Sequence, residues 1–344
     1  MMQAWAKGNV AMSRAPLDPS EPVLRHPLQP HQLTERLTRV EDVIVLCHFG
    51  VPRLDPASWS LTIDGLVRRP LRLSLSDLMK RPRVELNAVH ECCGSPFKPE
   101  VPTRRVCNIS WSGVRLSELL ADCEPDPTAR FLWSTGADYG VFGGIACDAF
   151  VKDLPIERAK ADVIIADQMN GAPLRPENGF PARLVVPGYY GTNSVKWLER
   201  LTVADARAPG PFTTRWYNDA IRAASGEPTG ATRPVWSIAP GSVIVAPSPD
   251  EALNAGEPVE IWGWAWADGG VAAVDVSTDG GSNWMRANVE PPLSRSWQRF
   301  SVTWRVEQRG NRHELCARAH SAAGASQPLK GARNEIHRVP ITIT

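Results

Sequence analysis

What the sequence most lacks is surplus charge: across 344 residues, 38 lysines and arginines face 37 aspartates and glutamates, a formal net charge of +1. So even a balance offers no general field for gathering DNA, RNA or anionic membrane, and nucleic-acid binding is disfavoured. No stretch approaches the roughly 20 consecutive apolar residues of a membrane-crossing helix, so no membrane span is expected. Among the seven cysteines, Cys47, Cys92, Cys93, Cys107, Cys123, Cys147 and Cys316, no Cys-x-x-Cys pair occurs. That removes the usual spacing of zinc ribbons, thioredoxin-like centres and iron–sulfur clusters. An odd count in a chain this long closes no disulfide framework and reads as a reducing compartment. Residues 1–15 have neither a secretory apolar core nor an Arg-Arg pair. The expectation is a cytoplasmic protein, or a periplasmic one if a signal has been removed.

What is present points to a sheet-rich chain of about two domains. Glycine (26) and proline (31) are somewhat enriched, which favours turns and short strands over long helices. Residues 1–42 carry Pro16, Pro19, Pro22, Pro27 and Pro30 and read as an extended arm. Residues 43–210 read as a mixed α/β domain. Val43-Ile44-Val45-Leu46 and the alternating Trp59 to Ile63 are strand-like, as are the runs at 131–133, 163–166 and 184–186. Ser74 with Asp77 forms a capping box for a short helix to Lys80, and residues 116–121 suit another. Residues 211–235, rich in proline, read as a linker. Residues 236–344 alternate like strands, with Asp268-Gly269-Gly270 and Asp279-Gly280-Gly281 as turns, the pattern of an all-β sandwich. Eight of the 13 tryptophans fall between Trp216 and Trp304, where they are expected to fill the space between two sheets.

The chemistry-bearing tract is Val89-His90-Glu91-Cys92-Cys93-Gly94-Ser95-Pro96. A thiol at a strand-to-loop junction, beside a glycine that permits close approach, suits a soft metal or an electrophile. Alternation along a strand allows one of the two cysteines to face a pocket while the other packs as a small hydrophobe. A cysteine-nucleophile hydrolase built on His90 and Cys92 is an alternative, although no oxyanion hole is legible.

A second set of motifs is more specific: Gln168-Met169-Asn170-Gly171-Ala172-Pro173-Leu174, then Gly179-Phe180-Pro181-Ala182-Arg183 through Pro187-Gly188, then Val195-Lys196-Trp197-Leu198. With His48-Phe49-Gly50-Val51-Pro52, Cys92-Cys93-Gly94-Ser95 and Trp111-Ser112-Gly113, this order resembles the sulfite oxidase family of molybdopterin-dependent oxidoreductases. Asp275 to Trp284, Gln327-Pro328 and His337-Arg338-Val339 resemble the family's dimerisation domain. The resemblance implies an α+β chain: a mixed α/β molybdopterin-binding domain followed by an immunoglobulin-like sandwich that pairs as a homodimer. It implies molybdenum held by one molybdopterin and by Cys92. It places His48, Gly94, Asn178, Arg183, Asn193, Ser194 and Lys196 against the cofactor. Asn178 and Asn193 stand where His and Arg are usual. Around the metal, the family's two arginines and a tyrosine are read at Leu46, Phe97 and Asp167. A pocket so depleted of cations suits sulfite, a dianion near neutral pH, poorly. Asp167 is the leading catalytic candidate, with Tyr189, Tyr190 and His90 behind it and Arg104, Arg105 and Arg338 as sources of charge.

Two functions follow. The favoured one is oxygen-atom transfer to or from a small substrate other than sulfite, with either direction open. No His-Pro-Gly-Gly or Cys-x-x-Cys-His motif is present, so neither haem nor an iron–sulfur cluster is expected, and electrons pass to or from an external carrier. The other is a metal-free homologue serving as a binding or scaffolding module.

Overall fold

The computed structural model describes residues 14–21, 23–95, 104–223, 227–306 and 312–344. Two sheets build the first part of the chain. One runs, in spatial order, Val151–Pro155, Phe131–Gly136, Leu198–Ala204, Ser60–Gly65 and Leu71–Ser74, antiparallel except where Leu198–Ala204 meets Ser60–Gly65. The other orders Ala172–Pro173, Ile164–Met169, Val106–Arg115 and Arg83–Glu91, with Arg183–Val185 also paired to Ile164–Met169. Leu61, Ile63, Leu132, Leu184, Leu198 and Leu201 alternate inward from these strands and are fully or almost fully buried between them.

Helices are few and short. Ser74 caps Leu75–Met79, and its hydroxyl and the Asp77 side chain make the expected reciprocal bonds. Leu116–Cys123 buries Leu116, Leu119 and Leu120 on one face and ends at Glu124, whose φ of 51° is left-handed. Among the described residues the longest helix has 8 residues. The expected mixed α/β domain is therefore mostly sheet, because its apolar runs are too short and too interrupted by Gly and Pro to sustain further helices.

Residues 211–235 are not a loose connection. Pro211–Thr214 is a helical turn, Asn218–Arg222 pairs with Pro228–Pro234, and Phe212 is 1% exposed in the first core. Phe212, Trp216, Tyr217 and Trp236 anchor this segment, so four aromatics outweigh the prolines that marked it as a linker.

The last part of the chain is a two-sheet sandwich. One sheet orders Gly241–Ala246, Pro258–Trp266, Gln298–Arg305 and Asn288–Val289; the other orders Ala252–Leu253, Arg338–Ile343, Arg312–Ser321, Val271–Ser277 and Met285–Arg286. Its interior is aliphatic with Phe300, and no tryptophan is fully buried there. Trp264, Trp266 and Trp297 lie instead in the seam against the first part, with Trp264 stacked on Trp297 at 5.1 Å. These three tryptophans thus fill the junction between domains, while Trp304 packs against the sandwich interior.

The arm enters that seam. Leu33 is buried beside Val89, Cys93 and Trp264, whose indole donates to the Leu33 carbonyl at 2.6 Å. Arg25 pairs with Glu177 at 2.9 Å, and Arg36 with Glu290 at 2.5 Å. Across the junction, Arg158 and Asp162 meet Asp268 and Arg295 in a four-member ion network. Leu33→Ala is expected to cost about 2–5 kcal/mol in urea unfolding, as for a core leucine. A change within about 0.5 kcal/mol, the scale of a surface site, would show that the arm is only draped over the seam.

Candidate active site

Strands Arg83–Glu91 and Val106–Arg115 pair through Glu91↔Val106, and the Cys92 N–H continues the ladder to the Arg105 carbonyl at 2.9 Å. The chain then turns, with Ser95 N–H donating to the Cys92 carbonyl. Both cysteines border a cleft whose empty space, open mouth included, is about 730 Å³. Cys92 is the more exposed of the two, while Cys93 also packs in the buried layer with Leu33 and Val89. The Cys93 thiol donates to Cys92, the main cause of a Cys92 pKa pulled down to about 6; the Gly94 N–H and the Arg105 guanidinium act in the same direction, against burial. The same bond, with burial, pushes Cys93 up. A Cβ on Gly94 would meet the Arg105 guanidinium at 3.1 Å, so the absence of a side chain admits that cation.

Asn178, Arg183, Ser194 and Lys196 line the same cleft. Arg183 is buried over the Trp111 ring, and its guanidinium donates to the carbonyls of Asn178 and Ser194 at 3.0 and 2.9 Å. Burial lowers it to about 10, so it remains a cation. The Lys196 ammonium, also lowered by burial, donates to the Leu46 and Glu177 carbonyls and to Cys47 Sγ at 3.0–3.2 Å. The Ser194 hydroxyl accepts from Val186 N–H. Asn178 Oδ1 is buried with no partner.

His48 sits in an aromatic box, stacked on Phe150 and met edge-on by Phe142 and Phe212. Burial, then the charges of Lys196 and Lys152, pull it down to about 4, so it is neutral, and its Nε2 lies 2.5 Å from the Tyr217 hydroxyl. Tyr217 has a left-handed φ of 58°, a costly conformation for an aromatic residue that packing must hold in place. Beneath it, the fully buried Lys152 ammonium donates to the Phe212 carbonyl at 3.0 Å and lies 5.1 Å from the Tyr217 ring centroid.

Comparison with known proteins places this geometry. Residues 48–212 match the oxidoreductase molybdopterin binding domain, and residues 233–341 match the Mo-co oxidoreductase dimerisation domain. Sulfite oxidase of Gallus gallus is 30% identical over 324 residues, covering 86% of this chain and 69% of that protein. Mitochondrial sulfite oxidase of Homo sapiens is 32% identical over 284 residues, 76% of this chain and 50% of that one. The chain spans about half the length of the mammalian relatives it matches. The sulfane dehydrogenase SoxCD from Paracoccus pantotrophus superposes with a TM-score of 0.77 at 30% identity, over 91% of this chain and 82% of that one. The chain belongs to the sulfite oxidase family of molybdopterin-dependent oxidoreductases.

Within this family member, the structure brings His48, His90, Cys92, Asn178, Arg183, Ser194 and Lys196 to one cleft, with Gly94 beside Cys92. It does not bring Asp167. The register of Ile164–Met169 against Val106–Arg115 slips at this residue, and the bulge turns its carboxylate onto Arg83, which grips both oxygens, one at 2.8 Å. Asp167 is therefore a structural ion pair, not a cleft residue. Asn193 also points away: it is fully buried, and its amide donates to the Tyr190 and Val235 carbonyls. Tyr189 stacks on Trp236, Tyr190 donates to Asn334, and Arg338 is held by Glu314 in the second domain. Arg104 donates to the Glu335 carbonyl. Leu46 lines the cleft, whereas Phe97 lies outside the described residues.

Two cleft residues were not expected from the sequence. Tyr217 falls in the segment read as linker, where only the aromatic cluster Phe212, Trp216 and Tyr217 hinted at packing. Asp138 is 3% exposed in the cleft wall, and burial pushes it up to about 7 against the pull of Lys196. Nothing in Gly136-Ala137-Asp138 distinguishes it from a turn aspartate. Its folded value lies above the ordinary 3.8, so the unfolded chain releases this proton first and stability falls as pH climbs from about 4 to about 7. Asp138→Asn removes that loss. In denaturant melts from about pH 4 to about pH 8, the variant should gain on wild type through this window and level off above it. A gap independent of pH would mean the carboxyl is not buried as described.

Proposed function

We propose that the protein is the catalytic unit of a molybdopterin-dependent oxidoreductase. It would move an oxygen atom to or from a small substrate in a two-electron step, at a molybdenum held by Cys92, with a substrate other than sulfite. The observation that carries this reading is Cys92 bordering a cleft that is also lined by the buried Arg183 and the half-buried Lys196. The residues fit the group. A thiolate is a soft ligand suited to a metal–sulfur centre. Arg183 and Lys196 can grip a phosphate as fork and point charge. The partnerless Asn178 Oδ1 and the carboxyl of Asp138 offer acceptors to the N–H groups of a pterin. When bound, the molybdenum–dithiolene unit supplies the oxygen-transfer chemistry itself.

The chain's own contribution is positioning and proton control. Burial pulls His48 down and pushes Tyr217 up, so the proton between Nε2 and the phenol stays on Tyr217 Oη, where it is held for donation into the cleft. The aromatic box keeps water from His48 and preserves this arrangement. The apolar Leu46 lines the cleft at a position where the resemblance places one of the family's polar substrate-pocket residues, which supports a substrate less charged than sulfite. The match of residues 233–341 supports a homodimer, most simply two-fold. Electrons would pass to or from an external carrier, as the sequence carries no haem or cluster motif.

Protein loaded in a molybdopterin-competent host tests the assignment. Cys92→Ser should lose molybdenum and at least the roughly 10–100-fold in activity typical even of groups behind a metal ligand. Tyr217→Phe should keep its molybdenum and lower kcat by about 10²-fold or more. Full metal and activity in Cys92→Ser would remove the ligand assignment, and efficient sulfite turnover by wild type would remove the substrate assignment.

A further inference from the structure

The residue before Cys92 does not face the cleft. Glu91 is 1% exposed, and one carboxyl oxygen, Oε2, accepts from the Trp266 indole at 2.9 Å and from the Asn334 amide at 3.1 Å. Both donors belong to the second domain. The residue after Cys92 is held from the same side, for the Arg333 guanidinium donates to the Cys93 carbonyl and, at 2.6 Å, to Asp219. Asn334 is itself fixed in every direction. Its amide also donates to the Ala239 carbonyl at 2.9 Å, its Oδ1 accepts from Tyr190, and its backbone carbonyl accepts from Gln327 at 3.0 Å. Its φ of 60° is left-handed, a conformation asparagine tolerates better than most residues. The Arg333 and Asn334 contacts come from one short stretch, residues 330–336.

We infer that the second domain positions the Cys92 sulfur, with Trp266 and Asn334 clamping the residue before it and Arg333 the residue after it. The inference rests on the proposed reading of Cys92 as the metal ligand. Consecutive Cα atoms are about 3.8 Å apart, so fixing both neighbours leaves Cys92 little beyond its own χ1. A displacement of about 1 Å at a reacting centre is enough to cost about 10²-fold in rate. These are positioning residues. None of them lines the cleft.

Full-length Asn334→Ala, Trp266→Phe, Glu91→Leu and Glu91→Gln test the clamp. Peptide-resolved hydrogen exchange on metal-free protein reads the loop directly. The Mo(V) electron paramagnetic resonance spectrum and the split between kcat and KM read its effect on the site. In Asn334→Ala and Glu91→Leu, amides 92–94 should exchange about tenfold faster or more, while strand Ser60–Gly65 keeps its wild-type rate. The filled fraction should show an altered Mo(V) spectrum and a lower kcat at unchanged KM. Glu91→Gln keeps an acceptor for both donors and should restore wild-type values. Trp266→Phe keeps the packing ring and loses only the N–H, so it carries the test if Asn334→Ala does not fold. Wild-type loop exchange and spectrum in Trp266→Phe and Glu91→Leu would overturn the clamp, as would damage from Glu91→Gln equal to that from Glu91→Leu. Failure of the ligand assignment is separate: Cys92→Ser would then keep its molybdenum while loop exchange in Asn334→Ala still rose.

Discussion

The strand Arg83–Glu91 is held on both edges, and the site depends on that. One edge is the continuous ladder to Val106–Arg115; on the other, Arg295 of the second domain exchanges backbone bonds with Asn87 and Val89. A strand bonded on both sides delivers its last residues to a defined place, and here those residues are His90, Glu91 and the Cys92 junction. Gly113 makes the neighbouring approach possible. A Cβ there would meet the Ile165 carbonyl at 2.1 Å, so only glycine allows the Ile164–Met169 strand to lie so close.

The electrostatics of the cleft follow from burial rather than from net charge. The chain as a whole is close to neutral, yet Arg183, Lys196 and Lys152 are concentrated in or beneath one cleft, each with main-chain carbonyls as acceptors. Carbonyls satisfy the donors without cancelling the charge, whereas carboxylate partners would have neutralised it. Burial, reinforced by the charges of Lys196 and Lys152, keeps His48 neutral. Field and proton inventory in the cleft are thus set by the same buried groups.

Much of this architecture is legible in the sequence, and what is not has a physical reason. The capping box at Ser74, the strand runs and the sandwich turns are local signals, and local chemistry decides them. The motif residues His48, Cys92, Arg183 and Lys196 are far apart in the chain, yet the resemblance groups them and the fold brings them to one cleft. Asp167 shows the limit: its position in the motif is right, but a one-residue bulge, invisible in composition, turns it onto Arg83. Tyr217 shows the reverse. Proline content marked its segment as a linker, while the determining fact is tertiary, a helical turn and two aromatics wrapped over the buried Lys152. Periodicity cannot register a contact between residues 152 and 217.

The seam explains why the two domains act as one object. If tryptophans merely thickened the sandwich, the second domain would be an independent unit docked by its surface. Instead Trp264, Trp266 and Trp297 leave an aliphatic interior behind and pack with Leu33, Val89, Cys93 and Tyr190, residues of the arm and of the cleft's supporting layer. Burying wide apolar surface across a junction couples the stability of its two sides, because neither retains that burial alone. The arm adds to the same layer and, through Arg25, reaches Glu177 in the cleft wall. A substitution in the seam therefore acts at the site through packing, at a distance from any group that touches the substrate.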